Sequence, residues 1–153
     1  MTVSGLKEFE IKISKLGSEA DRIAKKVVKA GANPVADEIR KNLVANLSDP
    51  AYVGKGDGDL FGMKTTVPTG DLLESFGVTP PGVDKDGNTN VHIGFEGYDR
   101  KGVPNALKAR AMESGTSTLK KRPFVRPAVN STRKKAVEEM GKALDKEIKI
   151  LAL

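Results

Sequence analysis

The sequence predicts an α+β fold: two long helical segments, the N-terminal one kinked, packed on a small antiparallel sheet, with a long glycine-rich loop. Three observations lead there. Apolar residues recur at helical spacing near both ends of the chain, alternation of apolar and polar residues is confined to a short central stretch, and glycines crowd a polar segment between them. With 153 residues, 38% hydrophobic and 30% charged, the chain is sized for a single domain over residues 1–153 with a modest core.

Leu6, Phe9, Ile13 and Leu16 recur at spacings of three, four and three, which places them on one face of a short helix introduced by Ser4 and Gly5. Ser18 and Asp21 stand in a capping relation that starts the first long helix. Ile23, Val27, Ala30, Ile39, Leu43 and Leu47 continue it. Pro34 has no amide proton and disfavours helical geometry at Asn33, so a kink or a short break is expected there.

From Ser48 to Pro68 the periodicity stops, with Pro50, Gly54, Gly56, Gly58 and Gly62 among polar residues. A loop of this length in a small domain is usually functional, and the 48–68 segment is expected to order only on assembly. Thr69 to Ser75 reads as a helical turn capped by Thr69, followed by a strand through Gly77 to Thr79. Asp84 to Asn88 is turn material. Val91, Ile93 and Phe95 alternate with polar or small neighbours and form a half-buried strand paired with the previous one. Pro104 to Met112 suits a short helix, Leu119 to Phe124 a return to the sheet, and Pro127 opens the last helix. Along that helix Val129, Val137, Met140, Leu144, Ile148 and Leu151 mostly share a face.

Composition narrows the chemistry. Without cysteine there is neither a disulfide framework nor a thiolate metal site. No run approaches the ~20 apolar residues of a membrane helix, so a soluble protein made in the cytoplasm, with no membrane partner, is expected. The lone His92 falls on the polar phase of a strand, and a triad would need Ser75 or Ser114 brought to it by the fold alone. An ordinary strand residue is the simpler reading. Asp84-Lys85-Asp86-Gly87-Asn88 has the oxygen-rich look of a calcium loop, but its glycine comes too early and no closing glutamate follows. A hairpin turn explains it better. Catalytic, cofactor and metal residues are therefore assigned to none.

Charge is the more informative feature. The chain carries +6, and Lys120, Lys121, Arg122, Arg126, Arg133, Lys134 and Lys135 lie between Ser114 and Val137 with no acid among them. This run could contact DNA through its phosphates, face an acidic protein partner, or be a solvated surface. No recognised nucleic-acid motif accompanies it.

A second segment has its own mechanics. In Glu113-Ser114-Gly115-Thr116, Gly115 can take a positive φ where the chain reverses and Thr116 can satisfy a local amide. In Arg122-Pro123-Phe124-Val125-Arg126-Pro127-Ala128, the two prolines restrict their predecessors to extended geometry and present one ring at a fixed place. Phe124 is expected to be a core anchor whose burial contributes roughly 2 to 3 kcal/mol. The motif Glu113, Gly115, Thr116, Arg122, Pro123, Phe124, Arg126 and Pro127 reads as a sheet-to-helix joint, with contact to a neighbouring subunit as the other role.

Together with the Gly5-Leu6-Lys7-Glu8-Phe9 opening, the Ala- and Lys-rich helix, Thr69 to Ser75 and the Val91 to Gly94 strand, this segment resembles the tail-completion or head-tail joining minor tail proteins of lambda-like, long-tailed bacteriophages and prophages. The glycine-rich 48–68 segment is longer than that family's pattern. The resemblance implies a non-enzymatic structural protein without cofactor that forms a ring, naturally a hexamer. Its implied partners are itself and the phage tail-terminator, tail-tube or connector proteins. Its implied location is the host cytoplasm during assembly and then the virion tail or neck. A basic DNA-contacting module of the phage neck, or an unrelated nucleic-acid-binding protein, is the alternative.

Overall fold

The computed structural model describes residues 4–49, 70–117 and 119–151. It is α+β, with a long helix at each end and small antiparallel sheets between them. Helix α1 (Ser4–Ser48) is a single element of 45 residues, about 68 Å long at 1.5 Å per residue. The boundary expected near Ser18 is absent. Ser18 Oγ donates back to the Lys15 carbonyl at 2.9 Å, which a serine does inside a helix rather than at its start. Of the two outcomes expected at Pro34, the break does not occur. Contacts on both sides of the proline, Gly31 against Met140 and Ile39 with Leu43 in the core, hold the helix through the missing hydrogen bond.

The expected 48–68 loop lies almost wholly in residues 50–69, outside the described residues, and so does Thr69. Helix α2 (Asp71–Glu74) follows Gly70, whose φ of 82° makes it the capping residue with no side-chain bond. Strand β1 (Phe76–Val78) pairs antiparallel with β4 (Ile93–Phe95), Phe76 opposite Phe95 and Val78 opposite Ile93. Between them β2 (Gly82–Val83) and β3 (Thr89–Asn90) form a second antiparallel pair. The turn joining β2 to β3 is organised by Asp84, whose carboxylate accepts the amides of Asp86 and Asn88, each at 2.9 Å. That carboxylate serves the hairpin. Gly87 supplies the positive φ that the turn needs.

Helix α3 (Asn105–Ser114) and helix α4 (Val125–Ile150) complete the fold. The link between them does not return to the sheet as expected. The Arg122 amide donates instead to the Met112 carbonyl at 2.7 Å, and Pro123 has no amide to offer a ladder. Helix α4 begins two residues before Pro127, which therefore sits within the first turn, where its missing amide proton is still harmless.

The core gathers Ile39 and Leu43 of α1, Leu72 of α2, Phe76 of β1, Met112 of α3, and Phe124 with Ala128 at the head of α4. Helices α1 and α4 run antiparallel, since Arg22 and Lys26 reach Glu147 while Asn42 reaches Phe124. Gly31 marks their closest approach: a Cβ there would lie 2.5 Å from Met140 Cγ. Among the described residues no helix is long and apolar enough to cross a membrane.

Candidate functional site

A dense set of hydrogen bonds gathers at the joint between α3 and α4. Helix α3 ends at Ser114, and Gly115 turns the chain with φ 76°. A Cβ at Gly115 would meet the Lys121 amide nitrogen at 2.9 Å and the Leu119 carbonyl at 3.0 Å, so both the dihedral and the space require glycine. Thr116 closes the turn. Its amide donates to the Leu119 carbonyl and its hydroxyl accepts the Leu119 amide, each at 2.9 Å.

That reversal brings the head of α4 onto the last turn of α3. Glu113 Oε2 accepts the amides of Phe124 at 2.7 Å and Val125 at 2.9 Å, and Oε1 accepts Arg126 at 2.9 Å. The first amides of a helix have no partner inside it, and the next residue, Pro127, has none to satisfy. One carboxylate therefore caps the start of α4 from a different helix, at the positive end of its dipole. Burial pushes the Glu113 carboxyl up, but the amides of Val125, Arg126 and Phe124 and the Arg126 charge outweigh it and hold the pKa below the ordinary value.

Helix α1 grips the other side of the joint. Asn46 Nδ2 donates to the Arg122 carbonyl at 3.1 Å, and Asn42 Nδ2 donates to the Phe124 carbonyl at 3.2 Å. Arg122 pairs with Asp49 at 2.5 Å. Phe124 itself is fully buried. Its ring meets Phe95 edge-on at 5.9 Å, and Phe95 meets Phe76 at 5.3 Å, an arrangement that suits the charge distribution of aromatic rings.

The basic run is spread over several different surroundings. Arg122 is engaged with Asp49, Lys121 and Arg126 line a small depression with Glu113, Ser114 and Pro123, and Lys135 lines a groove between α1 and α4 beside Asp37, Glu38 and Glu139. Lys120, Arg133 and Lys134 are exposed.

Among the described residues Ser75, Ser114 and His92 are not brought into a triad. Ser75 and His92 line one shallow depression of about 400 Å³ together with Glu96, yet Ser75 Oγ donates to the Leu72 carbonyl at 2.8 Å. His92 and Glu96 flank opposite ends of β4, roughly 13 Å apart along an extended chain, so that acid cannot orient the imidazole. Ser114 lies at the α3–α4 joint. No group of three metal-ligating side chains occurs among the described residues.

Two charged constellations escaped the sequence reading. Lys108 and Asp99 form a buried ion pair at 2.5 Å, with the Asp99 carboxylate also accepting the amides of Lys101 at 2.9 Å and Val103 at 2.8 Å. The signal was present, because Lys108 shares the spacing of the buried residues Asn105, Ala109 and Met112. Glu147, also buried, accepts from Lys26 at 2.7 Å and Arg22 at 2.9 Å and ties the end of α4 to α1. Both sites are braces for the fold.

A family model described as "Bacteriophage HK97-gp10, putative tail-component" matches residues 7–115, well over half of the chain. The chain belongs to the HK97-gp10-like family of bacteriophage tail components. The match spans α1, α2, both strand pairs and α3, and ends on the glycine that turns the chain toward α4. Glu113 and Gly115 are inside it, while Thr116, Pro123, Phe124 and Pro127 lie beyond. No curated protein and no solved structure matches the chain. As an HK97-gp10-like protein it is a structural phage component that works with other phage tail or head proteins in the virion tail.

Proposed function

We propose that this HK97-gp10-like protein completes the phage tail and helps join it to the head, acting through ring-forming contacts between its own copies. A hexamer suits the six-fold symmetry of long tails, and head-to-tail contacts that close generate rings. Its neighbours on this reading are tail-terminator, tail-tube or connector proteins, met in the host cytoplasm during assembly and kept in the virion tail or neck. The family match carries the reading. Supporting it, the joint between α3 and α4 is a mechanical one, in which Glu113 and Asn46 tie α3 and α1 to the head of α4.

Deleting the gene in the parent phage should leave filled heads and finished-length tails unjoined under the electron microscope, with infectivity restored by the gene in trans. Normal infectious particles from the deletion strain would refute the proposal.

DNA contact is a second reading, favoured by the exposure of Lys120, Lys121, Arg126, Arg133 and Lys134. It requires duplex binding that weakens steeply with salt and loses slope when Lys120 and Lys121 become alanine. Absent or salt-independent binding would remove it.

A further inference from the structure

Strand β4 carries an edge to which no described residue bonds. Thr79 donates its amide to the His92 carbonyl at 2.8 Å, and Glu96 donates to the Ser75 carbonyl at 3.1 Å. In this antiparallel register His92, Gly94 and Glu96 therefore turn their backbone groups toward β1, while Ile93 and Phe95 turn theirs the other way. The far edge of β1 is occupied, since Arg40 of α1 donates to the Phe76 carbonyl at 3.4 Å. The edge of β4 is the one left open.

That edge borders a groove of about 490 Å³. Ile93 to Phe95 form one wall, α3 and the head of α4 form the other, and no residue of β1 takes part. Phe95, Ala109, Val125 and Val129 make the lining largely apolar, and Val129 is 40% exposed. The charged groups on the rim are Arg110, Glu113 and Arg126. Glu113 already accepts three amides, whereas Arg110 and Arg126 are exposed. An adjoining depression shares Glu113 and Arg126 and adds Lys121. Between Asn105 and Val137 Glu113 is the one acid in the sequence, and Glu138, the next on α4, lies about 12 Å along the helix from Asn130. Glu96 alternates onto the other face of the sheet, with Ser75 and His92. The rim is therefore cationic.

We infer that this groove takes an extended, acidic segment of another protein, which adds a strand to the open edge of β4. Ile93 and Phe95 offer amides and carbonyls at a two-residue spacing, which an extended backbone matches. Every second side chain of such a segment would fall on the apolar lining beside Phe95 and Val129. Its carboxylates would meet Arg110 and Arg126, as charge-assisted hydrogen bonds require. Duplex DNA could satisfy the cations, but neither the strand edge nor the apolar lining. This deepens the proposed function, on which it rests only in that the segment belongs to another tail or head protein.

The full-length, isotope-labelled protein is titrated with a synthetic hexapeptide of alternating valine and threonine ending in glutamate on both sides, and with the same peptide ending in lysine. With the glutamate peptide the Ile93 and Phe95 amides should shift most in the NMR spectrum, and their hydrogen exchange should slow several-fold. The lysine peptide should bind at least several-fold more weakly. Arg110→Glu combined with Arg126→Glu should reverse that preference, and Arg110→Glu alone, at an exposed position, should reduce it if the double variant fails to fold. No shift at Ile93 and Phe95 at millimolar peptide, equal affinity for the two peptides, or duplex DNA moving the same amides as strongly would overturn the inference. In phage-producing cells, Val129→benzoylphenylalanine should photocross-link to an acidic segment of another virion protein, located by mass spectrometry. Cross-links confined to copies of this chain would overturn it. Docking together with normal infectious particles from the deletion strain would leave the groove assigned and remove tail completion. No docking together with unjoined heads and tails would do the reverse.

Discussion

The carboxylate of Glu113 receives the Arg126 amide at 2.9 Å across the turn between two helices. The same side chain holds Phe124 and Val125, so the end of α3 and the start of α4 behave as one unit. Glu113→Ala would leave these amides without an acceptor in a partly buried place, and the expected loss is about 1 to 3 kcal/mol. Glu113→Gln, which keeps one acceptor oxygen, should cost less. Urea unfolding of the two variants checks the order, and equal losses would contradict the capping role.

Acid should weaken the fold. Glu113 is held low despite burial, and Glu147 is held low chiefly by its hydrogen bond from Lys26, helped by Arg22. A carboxyl with a folded pKa below its unfolded one contributes stability that is complete above the unfolded value, about 4.3 for glutamate, and is lost as pH falls through the folded value. The melting temperature should therefore hold steady from neutrality to about pH 5 and decline below it. Glu147→Gln should have a shallower decline. An acid profile identical to the parent's would contradict the assignment.

Phe124→Ala removes a ring that is fully buried and touches Phe95. Large aromatic truncations in cores cost about 3 to 5 kcal/mol, a large share of the stability of a small domain. Partial unfolding at 37 °C, read by circular dichroism, is expected, with Phe124→Leu intermediate.

Gly115→Ala tests the turn. The residue has φ 76° and no room for a Cβ beside the Lys121 amide, so the loss should exceed about 1 kcal/mol, the most that glycine replacement gains where the backbone is compatible. Gly141→Ala, in open space on a helix, should be neutral or stabilising by up to about 1 kcal/mol in the same chemical denaturation series.

Periodicity in the sequence was enough to place both long helices and the pairing of the strand around Ile93 with the one before it. It failed where distant contacts decide. Nothing local to Pro34 says that the seam with α4 keeps α1 continuous there, and Ser18, which has the look of a helix start, instead bonds back to the Lys15 carbonyl inside the helix. The short apolar pattern from Leu119 to Phe124 suits a strand, but the turn at Gly115 directs it against Met112. Phe124 was readable as a core residue because two prolines frame it. The capping role of Glu113 was not, since it depends on amides more than ten positions away that only the folded turn brings near.

The uninterrupted course of α1 makes it a lever arm. Ile13 and Leu43 belong to the same helix, about 45 Å apart at 1.5 Å per residue, and the second is locked in the core. A neighbour that seizes the free end therefore applies torque to the whole domain. One backbone bond is missing at Pro34, but Gly31 on one side packs on Met140 and Ile39 on the other lies in the core, so a load on the free end is passed to the seam between the two long helices rather than absorbed at the proline.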